Sequence, residues 1–141
     1  MYDEARRSHM KYRELLEHAK QLNITDSREI FLRVIIPRSF LMRLLRSANR
    51  RRNYYSAGRN GFIGLFGNQF VCYSSNMWGN IPKNEKTRMD IHDITEMKKK
   101  LGTLGINKKL IIKTDKLRYK YYFQRKNEDI VDLMIKTILS Q

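Results

Sequence analysis

Apolar positions recur at helical spacing near the start of the chain and at a period near two through its later part. Tyr12, Leu15, Leu16, Ala19 and Leu22 fall on one face of an amphipathic helix over residues 3–22, with Arg, Lys and Glu between them. Residues 23–27 (NITDS) interrupt it and offer Thr25 or Asp26 as the N-cap of a second helix starting near Arg28. That helix would turn Ile30, Phe31, Val34 and Ile35 inward and stop before Pro37, because the residue preceding a proline is pushed out of the α region. Residues 39–49 carry Leu41, Leu44, Leu45 and Ala48, which suit a helix face but leave the segment ambiguous.

From Gly61 the period changes. Residues 61–75 (GFIGLFGNQFVCYSS) set two apolar runs on either side of Gly67-Asn68, a hairpin signal because both residues tolerate positive φ. Strand alternation points Phe70 and Cys72 into the core together with Phe62 and Leu65, and turns Val71 and Tyr73 outward or against a neighbour. Residues 78–86 read as a loop, 87–92 alternate, and 94–97 continue apolar positions before a connection over 98–107. Residues 109–114 (KLIIKT) and 118–123 (RYKYYF) read as two strands joined at Asp115-Lys116. The last stretch is a helix, with Asn127 as N-cap, Glu128 and Asp129 at the positive end of the dipole, and Ile130, Val131, Met134, Ile135, Ile138 and Leu139 on its apolar face. Helices, short strands and a closing helix make an α+β fold, a small sheet or barrel capped by the C-terminal helix.

Composition narrows the classes. The 141 residues suffice for one core, and 41% hydrophobic with 30% charged residues describes a globular chain. No run approaches a membrane span, and the first residues lack the apolar region of a signal peptide. A single Cys forms no intrachain disulfide, which points to a cytoplasmic setting. Charge changes the picture most: 29 Lys and Arg face 14 Asp and Glu, a net +15. From Arg28 to Arg59 there are nine basic residues and one acid, Glu29. Such a surface attracts polyanions, whether nucleic acid, anionic headgroups or an acidic protein. Candidate chemistry is sparse. His9, His18 and His92 are scattered without a Cys partner, so no metal or other cofactor is expected, and no phosphate-loop, dinucleotide or nucleophile-elbow motif occurs. The expectation is a non-enzyme.

Several stretches resemble the GRAM domain, a relative of the pleckstrin-homology fold. Gly61-Phe62-Ile63, followed by Asn68 through Ser74 (NQFVCYS), is similar to its Gly, two apolar strands and aromatic-Ser ending. Ser75-Asn76-Met77-Trp78-Gly79 matches the Ser-Asn-apolar-aromatic-Gly pattern that follows. Asp93-Ile94-Thr95-Glu96-Met97-Lys98-Lys99 resembles the next motif, and residues 110–114, 119–123 and Glu128-Asp129 resemble the closing strands and helix. The likeness spans residues 58–140, and Phe31 with Ile36-Pro37 resembles the lead-in found in TBC-type Rab GTPase-activating proteins and membrane-contact sterol-transfer proteins. The chain departs from the pattern at Val71-Cys72, where the family carries Cys then an aromatic, at Lys98, where Glu is common, and at 81–86, which reads as an insertion.

The resemblance implies a pleckstrin-homology-like barrel or sandwich over residues 37–141, a helical extension over 1–36, and a first strand near 49–55. It implies a membrane-targeting module for phosphoinositide or phosphatidylserine, cytoplasmic and peripheral to the membrane, within a larger regulator such as a Rab GTPase-activating protein. Partners would be anionic lipids and, through the parent protein, a small GTPase or an acidic protein, with nucleic acid ranked behind them. Arg50, Arg51, Arg52 and Arg59 would flank the loop where such domains hold headgroups, joined by Lys98, Lys99, Lys100 and Lys108. Met77 and Trp78 are candidates for membrane insertion; the reading ranked ahead of it folds Trp78 back to cap the barrel. Two other functions stay open. Arg50–Arg52 beside Tyr54-Tyr55, and residues 113–126 with their aromatics, would suit single-stranded nucleic acid. The basic arm over residues 3–52 would suit an acidic protein partner.

Overall fold

The run IFLRVII at residues 30–36 forms a strand and not the expected helix. Val34, Ile35 and Ile36 are β-branched, a choice that favours a pleated backbone. The expected cap does not start a helix either. Thr25 donates its hydroxyl to the Ile30 carbonyl at 3.0 Å, Asp26 closes a turn onto the Arg28 N–H at 3.0 Å, and Glu29 takes a positive φ of 59°, which no helix continues through.

The computed structural model describes residues 2–37, 58–101 and 108–141. The expected first strand near 49–55 and the ambiguous 39–49 segment lie outside the described residues. Helix α1 (Tyr2–Gln21) precedes strands β1 (Phe31–Pro37), β2 (Gly58–Phe66), β3 (Gln69–Ser75), β4 (Pro82–Asp90), β5 (Ile94–Leu101), β6 (Lys108–Thr114) and β7 (Arg118–Phe123), and helix α2 (Glu128–Leu139) closes the order. Among the described residues these strands make one antiparallel sheet in the order β4-β3-β2-β1-β7-β6-β5. β1 is therefore central, paired to β2 from Phe31↔Gly64 to Pro37↔Gly58 and to β7 at Ile35↔Tyr122. The expected domain boundary between residues 36 and 37 falls inside this strand.

Over β1–β3 the sheet buries both of its faces. One face joins α2 in the main core, where Leu32, Val34, Ile63, Leu65, Phe70, Cys72, Leu110, Ile112, Tyr121 and Phe123 cluster with Val131, Met134 and Ile138. The other face, over β1–β3, is covered by α1: Leu16 and Ala19 cluster with Ile24, Phe31, Phe62 and Val71. Phe62 thus points away from the main core, against expectation, and Ile63 takes its place. Its ring stacks on Phe31 with centroids 5.5 Å apart, and the Arg33 guanidinium lies 5.5 Å from its centroid. Close approach of the chains here depends on Gly64, where a Cβ would stand 2.6 Å from the Ile24 carbonyl oxygen.

The β2–β3 hairpin turns at Gly67-Asn68 as expected, with Gly67 at φ 56°. Two segments read as connections are strand: residues 82–86 belong to β4 and 98–101 to β5. At α2, Asn127 makes no side-chain cap; a one-turn 3-10 helix, Arg125–Asn127, leads in instead, and Leu139 is exposed.

Asp26 ties the α1–β1 turn to the hairpin tip. Its carboxylate accepts from the Gly67 N–H at 2.8 Å and from the Arg28 guanidinium at 2.9 and 3.0 Å, while that guanidinium also donates to the Gly67 carbonyl at 2.7 Å. The Arg28 side chain chiefly, helped by the backbone N–H groups of Gly67 and Arg28, holds the carboxyl down at about 2, below its ordinary 3.8. A depressed folded pKa makes this contribution complete above the ordinary value and lost as pH falls towards about 2. Solvent screening keeps it to about 1–2 kcal/mol. Asp26→Asn is expected to lower stability by that amount at neutral pH and to flatten part of the loss between pH 4 and 2, measured by urea unfolding across pH.

Candidate functional site

Antiparallel register brings three connections to one end of the molecule. β1 leaves the sheet at Pro37 and β2 returns beside it at Gly58; β3 ends at Ser75 opposite Pro82, where β4 begins. β7 runs antiparallel to β1 with Ile35↔Tyr122 paired, so its start at Arg118 lies at this same end. A cleft of about 340 Å³ opens there, lined by Ile36, Pro37, Cys72, Lys86, Thr87 and residues 118–122.

The floor of the cleft is neutral. Tyr121 is buried, tilted against Phe70 at 5.8 Å, and lines the cleft together with Cys72 and Thr87. Burial raises the Cys72 thiol to about 11, and burial, with Cys72 beside it, drives the Tyr121 phenol well above its usual range. At neutral pH neither is an anion, so the cleft presents no thiolate. Cys72 is the buried structural residue that the sequence implied.

The rim is cationic. Lys86 and Arg118 are exposed, Lys120 is half-buried, and Arg59, opposite Ile36 in the register, is exposed and close enough to act electrostatically on Cys72. At this same end stands the β3–β4 loop. Asn76 braces it: its N–H donates to the Ile81 carbonyl at 2.8 Å, its carbonyl accepts from Gly79 at 3.1 Å, and its Oδ1 accepts from the N–H of Asn80 at 3.1 Å. Gly79 takes φ 74° and packs so closely on Asn60 that a Cβ would stand 2.5 Å from its Nδ2. With the loop held from within, Met77 and Trp78 stand 90% and 81% exposed at its tip. The favoured expectation that Trp78 folds back to cap the barrel is overturned. Asn76 braces the loop from within and Gly79 packs on Asn60, which holds Trp78 outside the core. Ile81 at the loop and Leu117 in the β6–β7 turn are exposed as well.

The predicted cations do not form one site. Arg50, Arg51 and Arg52 lie outside the described residues. Arg59 is at the cleft end. Lys99 and Lys108 sit at the other end of the β5–β6 hairpin, where both bind Glu128 and Lys99 also binds Asp132, so they fasten α2 to the sheet. Lys98 is paired with Glu96 at 3.3 Å, and Lys100 is exposed. Glu128 is held at about 2, chiefly by Lys108 and then Lys99. Sequence reasoning missed Lys86, Arg118 and Lys120 as rim residues. Their signal was the alternation of Arg118, Lys120 and Tyr122 with the core-facing Tyr119, Tyr121 and Phe123.

Among the described residues no group of His, Cys, Asp and Glu could hold a metal ion, and no helix is long and apolar enough to cross a membrane. No protein-family model matches this chain, and no curated protein matches it in sequence.

Proposed function

We propose that this chain is a non-catalytic membrane-targeting module of GRAM or pleckstrin-homology type, docking on anionic lipid headgroups, phosphoinositide or phosphatidylserine, through its cleft end. One observation carries the reading: an internally braced loop holds Met77 and Trp78 in solvent at the same end of the sheet as Lys86, Arg118 and Arg59. Apolar tips next to cations suit the headgroup–acyl boundary, where Trp is favoured and each nearby basic residue contributes about 1 kcal/mol. The strand order and the C-terminal helix are compatible with that fold type. The module would serve a larger regulator, such as a Rab GTPase-activating protein, as a cytoplasmic peripheral membrane domain. The nucleic-acid reading loses support, because the aromatics of residues 118–123 that bases would stack on, Tyr121 and Phe123, are buried, and Tyr119 packs on the core.

Vesicle sedimentation tests the proposal. Retention on vesicles containing phosphatidylserine or a phosphoinositide, and none on neutral phosphatidylcholine, is expected at physiological salt. Lys86→Glu with Arg118→Glu should weaken it by about tenfold or more. Equal retention on neutral and anionic vesicles, or preferential capture by a competing RNA, would overturn it.

A further inference from the structure

A single exposed apolar side chain is ordinary on a protein surface; several gathered at one end are not. Met77, Trp78 and Ile81 stand at the cleft end, and so does Leu117, 58% exposed in the β6–β7 turn just before Arg118. That turn is braced. The Leu117 N–H donates to the Thr114 hydroxyl oxygen at 3.1 Å, and its carbonyl accepts from the Thr114 N–H at 2.9 Å. Thr114 thus holds Leu117 outward as Asn76 holds Met77 and Trp78. On either side of Leu117, Lys116 and Arg118 are exposed and make no ion pair among the described residues; the turn's one acid is Asp115.

Topology sets this turn across the cleft from the other tip. Lys86 of β4 and residues 118–122 of β7 both line the cleft, although β3, β2 and β1 separate these strands in the sheet. They are the outermost strands that line it, so they form its opposite walls. The Met77–Trp78 loop leads into β4 and the Leu117 turn leads into β7. We infer that the β6–β7 turn is a second membrane contact, with Leu117 in the headgroup–acyl boundary and Lys116 and Arg118 on the anionic headgroups. The inference rests on the membrane reading above and adds to it a fixed tilt. One anchored tip leaves the chain free to swing, whereas tips on opposite walls turn the mouth of the cleft to the lipid surface. Because the Leu117 N–H and carbonyl are already bonded to Thr114, entering a drier layer leaves neither unpaired.

Fluorescence on mixed phosphatidylserine and phosphatidylcholine vesicles tests the inference. Trp78 is the only Trp, so Leu117→Trp in a Trp78→Phe background puts the sole indole in the turn. Its emission is expected to shift to the blue on these vesicles and to be quenched by lipids brominated on the acyl chain. In the parent chain, Leu117→Ser should weaken partitioning about fivefold and Leu117→Asp about tenfold or more. Urea unfolding should not change with either, because the side chain is exposed. An indole at position 117 that stays in water on vesicles that bind the chain overturns the inference, as does unchanged partitioning of the two variants. Either result leaves the Met77–Trp78 tip standing as the sole contact. A parent chain that does not bind the vesicles overturns both proposals, so the two failures are told apart.

Discussion

Replacing Phe62 by alanine is expected to cost about 3–5 kcal/mol of folding free energy and to loosen α1 from the sheet. Phe62 is fully buried, stacked on Phe31, and belongs to the cluster that Leu16 and Ala19 of α1 complete. Removing its ring empties the middle of that layer, and neither the strand backbone nor the helix can collapse into the space without breaking other contacts. Against a typical total of about 5–15 kcal/mol, such a loss is large. Urea unfolding measures it, and amide exchange in α1 shows whether the helix detaches first. Leu16→Ala probes the interface from the helix side at about 2–4 kcal/mol, and the double variant should cost less than the sum of the two, because both act on one contact layer. If residues 1–36 were a separate extension, Phe62→Ala would cost under about 1 kcal/mol. That outcome would remove α1 from the folded unit.

The interface that Phe62 serves also marks the limit of what patterning could show. β6, β7 and the β2–β3 hairpin were legible because short runs of apolar and aromatic residues are bounded by turn residues. β1 was not. A central strand packed on α1 through Phe31 and on the main core through Leu32 and Val34 has apolar residues on both sides, broken only by the exposed Arg33, so its run mimics a helix stripe. β4 failed for the opposite reason. As an edge strand it exposes Lys83, Asn84, Glu85 and Lys86, and pairing with β3 across two register shifts, not burial, makes it a strand.

The charges divide in the same way. That the chain is strongly cationic was plain from composition, but which lysines already have partners depends on residues far away in sequence. Lys99 and Lys108 meet Glu128, and Lys99 meets Asp132, only because α2 returns across β5 and β6. Their pairing removes them from the candidate lipid site and gives α2 an acid-sensitive attachment. Glu128 ionises at about 2 in the folded chain against an ordinary 4.5, so its support is present above the ordinary value and lost as pH falls towards about 2. Of the cleft's cations, Arg118 and Lys120 were marked in sequence only by their alternation with Tyr119, Tyr121 and Phe123 and Lys86 by nothing local; the cleft brings them together.

The Met77–Trp78 tip gives the second large expected effect. Met77→Ser with Trp78→Ser should reduce partitioning onto anionic vesicles by about a hundredfold, while leaving folding stability within about 0.5 kcal/mol. The two effects separate because both side chains stand 81% or more exposed, so their apolar surface leaves water only on docking. Burying even half of it at the membrane boundary contributes about 2–3 kcal/mol. The cations act differently: their attraction weakens as salt shortens the Debye length, whereas apolar insertion does not. Raising salt should therefore weaken the parent chain but leave a residual, salt-resistant binding that the double variant lacks. Trp78 is the only Trp in the chain, so its emission reports the tip directly. On phosphatidylserine vesicles it should shift to the blue and become shielded from iodide. Vesicle binding with an emission that stays that of a water-exposed indole would mean that the chain docks by charge alone, with the tip outside the bilayer.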